Sequence, residues 1–158
     1  MRTGLFVLLS AVVATLFVTA SQITDVNAAA RSVSPMDRLS IEQPGSSGKW
    51  KGNDITVEYS YSKDQGQIDL SGTVRFANFF MGYSRLQDFH LGVIFVDENG
   101  RVLEETGLTT SRGSFDPVTF HRRVKLPQNA AYMAFSYQGI AIPSGMGGVT
   151  SFSFYPVR

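Results

Sequence analysis

From residue 52 onward, apolar and polar residues alternate along much of the chain with a period of two. Two such runs, at residues 55–61 and 68–76, lie on either side of a turn-forming segment at residues 63–66. Alternation of this kind is typical of a strand with one buried and one solvent-facing side. The two runs therefore predict a β-hairpin.

Further strands are predicted along the rest of the chain. Residues 89–96 are apolar on both faces, as in a central strand, and Asn99-Gly100 is a strong hairpin signal. The other predicted strands are residues 101–106, 118–126, 131–137 and 149–157. About seven short strands without helical periodicity predict an all-β fold, an antiparallel β-sandwich of immunoglobulin-like or fibronectin-like architecture. A small closed barrel is the alternative.

The first thirty residues have the pattern of an export signal. Arg2 gives a short positive end, residues 4–20 are apolar or small, and residues 26–30 offer small side chains at cleavage spacing. The alternative is a retained membrane anchor, but the apolar run is at the lower length limit and no basic cluster follows it. We expect a signal peptide at residues 1–30, cleaved near Ala29 or Arg31, and a periplasmic or extracellular protein.

Residues 31–51 mix Ser, Pro, Gly and isolated charges, and residues 44–48 resemble a structure breaker. This composition predicts a flexible tether between the signal peptide and the folded part. The domain organisation that we expect is therefore a tether followed by one β-sandwich domain at residues 52–158.

Composition narrows the compartment and the class of partner. The chain has no cysteine, which excludes a disulfide framework and a lipid-modified amino-terminal cysteine, and favours a bacterial envelope protein over a small secreted eukaryotic domain. The formal charge of +1 gives no strong attraction to nucleic acid or anionic lipid. We expect a protein or glycan partner, no nucleic acid, and membrane contact only through a retained amino-terminal segment.

Catalytic motifs are weak. The two histidines, His90 and His121, lie outside the spacings of a nucleophile elbow or a metal site. The acidic pairs at residues 97–98 and 104–105 lie at a turn or point to opposite faces, and the glycines of residues 139–148 lack phosphate-loop spacing. We expect no enzymatic activity, no metal and no cofactor.

Three connections of about ten residues, at residues 77–87, 107–116 and 138–148, carry the main functional signal. Because consecutive antiparallel strands reverse direction, all three are expected at the same end of the sandwich. Apolar loop residues there form either an exposed binding patch or a plug folded into the core. The candidate binding residues are Phe79, Phe80, Met81, Tyr83, Ile142 and Met146.

Two binding hypotheses follow from these residues. The first is a non-enzymatic binding or assembly module of the bacterial envelope that contacts a protein partner through the long-loop end. The second is a carbohydrate-binding module, which needs coplanar, solvent-facing rings. The available rings are Trp50, Tyr59, Tyr61, Phe79, Phe80 and Tyr83, but the strand parity of Tyr59 and Tyr61 places them in the core.

Arg122 shares the parity of Val118, Phe120 and Val124, so a regular strand would turn it inward. Because an unpartnered buried guanidinium is costly, we expect its charge to be paired or displaced to a strand edge. His121, Arg123 and Lys125 fall on the other face as a basic stripe, for which a solvated surface is favoured over an acidic glycan or lipid head-group site.

Overall fold

The computed structural model describes residues 31–145 and 147–158, which form two antiparallel sheets packed face to face. The strands are β1 (Leu39–Ser40), β2 (Gly45–Lys51), β3 (Ile55–Asp64), β4 (Gln67–Phe76), β5 (Tyr83–Val96), β6 (Val102–Gly113), β7 (Val118–Lys125), β8 (Tyr132–Pro143) and β9 (Thr150–Phe154), with 3₁₀ helices at Pro35–Asp37 and Asn78–Gly82. The all-β sandwich is confirmed. The predicted signal peptide lies outside the described residues.

A five-stranded sheet has the order β1-β8-β5-β6, with β9 also paired to β8, and a four-stranded sheet has the order β2-β3-β4-β7. Two separate sheets exclude the closed barrel. Among residues 31–145 and 147–158, no helix has the length and apolar character needed to cross a membrane.

The β3–β4 hairpin forms as the alternating pattern predicts. Its turn residues Gln65 and Gly66 both have positive φ, at 46° and 75°, which matches the backbone twist of the adjoining strands. The register pairs Tyr61 with Leu70 and Val57 with Val74, and all four side chains are buried. The hairpin thus presents one continuous apolar face to the opposite sheet.

The core lies between the sheets and is rich in aromatic rings. Phe89, Phe95 and Phe135 of the five-stranded sheet are fully buried. Phe76 meets Phe89 edge-to-face, with ring centroids 5.0 Å apart and planes at 74°. Burial of each such side chain contributes about 1.5–3 kcal/mol relative to exposure, so these rings dominate the stability of the sandwich.

Residues 31–51 belong to the sandwich, and the predicted flexible tether is wrong. β2 pairs with β3 along its whole length, and Trp50 is buried with its ring centroid 5.7 Å from that of Phe135. Residues 45–48, which the sequence suggested as a structure breaker, are part of β2. Gly48 is accommodated in the strand because the Tyr59 ring covers it. A Cβ at Gly48 would lie 2.7 Å from the Tyr59 hydroxyl oxygen.

The amino-terminal segment also covers the outer face of the five-stranded sheet. Val33 is buried against Ile94, Val96 and Ala134, and its backbone bridges to Val157 near the carboxyl terminus. This cover explains why residues 89–96 are apolar on both faces: one side faces the core and the other faces Val33.

The predicted long connections are mostly strand. β5 begins at Tyr83, β6 continues to Gly113 and β8 continues to Pro143. Register shifts between residues 83 and 89 interrupt the alternation of inward- and outward-facing side chains. The apolar and polar residues of this segment therefore do not alternate regularly, and the sequence did not predict a strand there. Within the described residues, the connections that remain are residues 77–82, 114–117, 144–145 and 147–149.

Candidate functional site

These three connections meet at one end of the sandwich, here named the loop pole (residues 77–82, 114–117, 144–145 and 147–149). The Phe80 and Phe115 rings stack with centroids 4.9 Å apart and planes at 14°. The backbone N–H of Ser144 donates to the carbonyl oxygen of Gly82 at 3.3 Å. The predicted convergence of the three connections at one pole is confirmed.

Phe80 plugs the core at this pole. Its side chain is fully buried, with its ring centroid 4.7 Å from that of Phe152 and 6.0 Å from that of Phe76. Its backbone N–H donates to the Ala77 carbonyl oxygen and closes the first turn of the 3₁₀ helix. Phe80 is therefore the anchor of the connection, and its ring is not accessible to a partner.

Phe79 and Met81, on either side of this anchor, are exposed. Phe79 retains 53% of its surface and Met81 retains 87%. The Phe79 ring rests on Phe80 with centroids 4.2 Å apart, so its position is fixed from below. Val149, on the third connection, is also exposed. We name Phe79, Met81 and Val149 the apolar patch.

Val149 was not among the predicted binding residues. It directly follows Gly147 and Gly148, which both adopt positive φ, and this glycine pair turns the chain before β9. An apolar residue next to a glycine pair could have indicated an exposed position at a turn. The hydrophobic pattern instead assigned Val149 to the last predicted strand.

Two predicted binding residues, Tyr83 and Ile142, lie in strands and not in the exposed connections. Tyr83 is partly buried, and its hydroxyl donates to Thr150 Oγ1 at 3.4 Å. Ile142 is a partly buried residue of β8, and its carbonyl oxygen accepts from Ser84 Oγ at 3.1 Å. Both therefore support the loop pole from the strands. Met146 lies outside the described residues.

The rings considered for a sugar platform do not form one exposed plane. Trp50 and Tyr61 are buried, and Tyr59 is partly buried with its ring 5.4 Å from Phe135. These three rings pack in the core, while Phe79 and Tyr83 lie at the loop pole. The parity of Tyr59 and Tyr61 with the buried residues of β3 correctly placed them inside.

Arg122 is exposed at the outer edge of the four-stranded sheet. It pairs in register with the fully buried Leu70, so it belongs to the inward-facing row, but β7 is the last strand of its sheet. The guanidinium therefore reaches solvent past the edge, as expected.

The neighbouring basic stripe lies beside carboxylates. His121 Nε2 is 2.6 Å from Asp69 Oδ1, and Arg123 donates to Asp64 Oδ2 at 3.5 Å. Ser71 pairs in register with His121, but its hydroxyl lies 3.0 Å from that of Ser60. These side chains lie on the outer face of the sheet, without the nucleophile–base hydrogen bond of a catalytic triad.

A second charged cluster lies on the outer face of the five-stranded sheet. Asp88 Oδ2 accepts from His90 Nε2 at 2.8 Å, and Asp88 Oδ1 accepts from Arg112 Nε at 3.2 Å. These contacts lower the pKa of Asp88, with the hydrogen bond from His90 as the largest cause. Among the described residues, no group of three or more His, Cys, Asp or Glu side chains is arranged to hold a metal ion.

Comparisons of the chain with family models, with curated proteins and with solved structures gave no match. The functional interpretation therefore rests on the residues themselves, and the apolar patch is the candidate binding site.

Proposed function

We propose that this protein is an exported, non-enzymatic binding or assembly module of the bacterial envelope that contacts a protein partner through the apolar patch. The observation that carries the proposal is the exposure of Phe79 and Met81 on either side of the buried Phe80. A partner that covers these side chains removes apolar surface from water, at about 25 cal/mol per Å².

The chemistry of the patch favours a protein as the partner. Aromatic residues and methionine are enriched in the cores of protein interfaces, whereas charged residues are depleted there. The Phe79 ring is already held against Phe80, so binding costs little side-chain entropy. Met81 adds a flexible thioether that adapts to the shape of the partner.

The export part of the proposal rests on the sequence. A short positive end, an apolar run and small residues at the exit support cleavage near Ala29 or Arg31. The absence of cysteine supports the bacterial periplasm or cell exterior.

The proposal also places the sandwich in the fibronectin-like type rather than the immunoglobulin-like one. The strand orders β3-β4-β7 and β9-β8-β5-β6 support it, because they pair the first, second and fifth of seven strands in one sheet. β1 and β2 then stand as additions before the seven strands. Loops at the ends of such sandwiches commonly carry binding surfaces.

Capture from an envelope extract of the native host tests the proposal. We expect the wild-type protein to retain a partner that the double variant Phe79→Asp with Met81→Asp retains at least about 30-fold less tightly, as for a central hot spot. Met36→Asp is the matched control, because Met36 is 94% exposed and lies on the other 3₁₀ helix. Equal retention by the double variant, or equal loss in the control, would overturn the proposal.

A further inference from the structure

The outer face of the five-stranded sheet carries two adjoining clefts beside the segment that Val33 covers. Their volumes are about 340 and 290 Å³, and both are lined by His90, Gln138 and Ser153. Together they extend across three strands, because His90 pairs with Gln138 and Gln138 pairs with Ser153. Volumes of about 300 Å³ are at the small end of the range for ligand sites.

A pair of glycines leaves room on this face. Gly92 of β5 pairs with Gly107 of β6 on one side and with Ser136 of β8 on the other. A Cβ at Gly92 would lie 2.9 Å from Ser136 Oγ, so a larger residue would crowd the first cleft. The depression is therefore a consequence of the sequence at these positions.

The lining is polar and rich in groups that both donate and accept hydrogen bonds. Three serine hydroxyls, from Ser136, Ser151 and Ser153, lie beside the Gln138 amide along the two clefts. A hydroxyl or a primary amide offers donor and acceptor atoms together. Asp88, which His90 and Arg112 hold in place, adds a fixed acceptor in the second cleft.

The Tyr155 ring stands at the side of the first cleft. Tyr155 as a whole is 49% exposed, and its hydroxyl contacts both Arg31 and Glu105. These contacts fix the orientation of the ring together with the Arg31 guanidinium, whose carbon lies over the ring 5.7 Å from its centroid. The part of the residue that stays exposed remains available for packing. An amphipathic ring next to hydroxyl and amide groups suits a ligand with both C–H faces and polar edges.

We propose that this outer-face cleft binds a neutral oligosaccharide. The carboxylates of Asp88 and Glu105 disfavour the binding of an anionic ligand by like-charge repulsion. The neighbouring guanidinium groups of Arg31 and Arg112 disfavour a cationic ligand in the same way. A peptide main chain lying across this face gains no sheet pairing from β5, which lies between β6 and β8, or from β8 beside it, which lies between β5 and β9. Sugar hydroxyls, which each donate and accept, match the lining, and sugar C–H groups match the exposed part of Tyr155.

This site is separate from the apolar patch, and either proposal can fail alone. The test is a ¹H–¹⁵N NMR titration of the mature protein with neutral gluco-, manno- and chito-oligosaccharides of two to six units. We expect shifts at the amides of residues 88–92, 136–140 and 151–155. The absence of shifts at about 10 mM sugar, well above a millimolar dissociation constant, would overturn the proposal. Shifts confined to the loop pole, or binding of anionic sugars alone, would overturn it too.

Variants then assign the binding to these side chains. We expect the double variant Gln138→Ala with Ser153→Ala to bind at least about tenfold more weakly, because it loses two hydrogen-bonding groups shared by both clefts. Gln67→Ala, an exposed change on the four-stranded sheet, is the matched control and should bind like the wild type. His90→Ala provides a second variant should the double one fold poorly. Wild-type affinity in each folded cleft variant would contradict the proposal.

Discussion

Phe80 and Phe115 stack with ring planes at 14°, and this pair joins the connection between β4 and β5 to the connection between β6 and β7. The stack fixes the backbone that presents Phe79 and Met81. The exposed Phe79 and Met81 and the buried Phe80 are thus consecutive residues of one 3₁₀ helix.

The two phenylalanines of this turn should differ strongly in their contribution to stability. Phe80→Ala removes a fully buried ring and leaves a cavity, so we expect the free energy of unfolding to fall by about 3–5 kcal/mol. Phe79→Ala removes a half-exposed ring and should cost less than about 1 kcal/mol. Urea denaturation measures both values, and similar losses in the two variants would contradict the assignment of Phe80 as the plug.

The segment before residue 52 should be needed for stability. Trp50→Ala removes a ring that packs against Phe135 and Phe154, so we expect a loss of about 3–5 kcal/mol in the free energy of unfolding. Lys51→Ala, an exposed change on the same strand, is the control. A melting temperature unchanged by Trp50→Ala would indicate that residues 31–51 are a tether after all.

Tyr137 should contribute a pH-dependent hydrogen bond. Its hydroxyl donates to Asp54 Oδ2 at 2.6 Å, and burial, together with this bond, raises the pKa of Tyr137. Tyr137→Phe should therefore lower the free energy of unfolding by about 1–2 kcal/mol at neutral pH. Tyr155→Phe removes a hydroxyl whose contacts with Arg31 and Glu105 are solvent-exposed, so it should cost less, about 0–1 kcal/mol.

The sign of the pH dependence follows from the direction of that shift. A tyrosine whose folded-state pKa is raised favours folding while it is protonated, and this contribution declines as pH rises above the unfolded value of 10.0. The advantage of wild type over Tyr137→Phe should therefore shrink above pH 10.0. An advantage that grows with pH there would contradict the hydrogen-bond assignment.

Arg122→Ala should change the free energy of unfolding by less than about 0.5 kcal/mol, because the guanidinium is solvent-exposed at the edge of β7. A buried, paired arginine would instead cost about 3–5 kcal/mol. Chemical denaturation distinguishes these values, and a loss in the larger range would show that Arg122 is inside the sandwich.

The sequence predicts well the strands in which apolar and polar side chains alternate, because this alternation shows which face of the strand is buried. In β3 and β4 the apolar residues alternate regularly, so the hairpin and its orientation follow from local pattern. β2 is different, because its Gly48 is supported by the ring of Tyr59 on another strand. A contact between two paired strands cannot be read from the composition of either strand alone.

The same distinction applies to the loop pole. Its convergence follows from strand alternation, which requires no knowledge of side-chain contacts. The burial of Phe80 and the exposure of Phe79 depend on Phe115 and Phe152, which come from later connections and strands. Sequence pattern therefore located the candidate site but did not separate its anchor from its exposed residues.

Photo-crosslinking in the native host tests the binding role of the loop pole most directly. A photoreactive residue is placed at Met81, and the matched control carries it at Met36, which is at least as exposed (94% against 87%) and lies on the other 3₁₀ helix. We expect a discrete protein adduct from position 81 that is absent from position 36. The absence of an adduct at position 81, or the same adducts from both positions, would contradict the proposal that the apolar patch binds a protein partner.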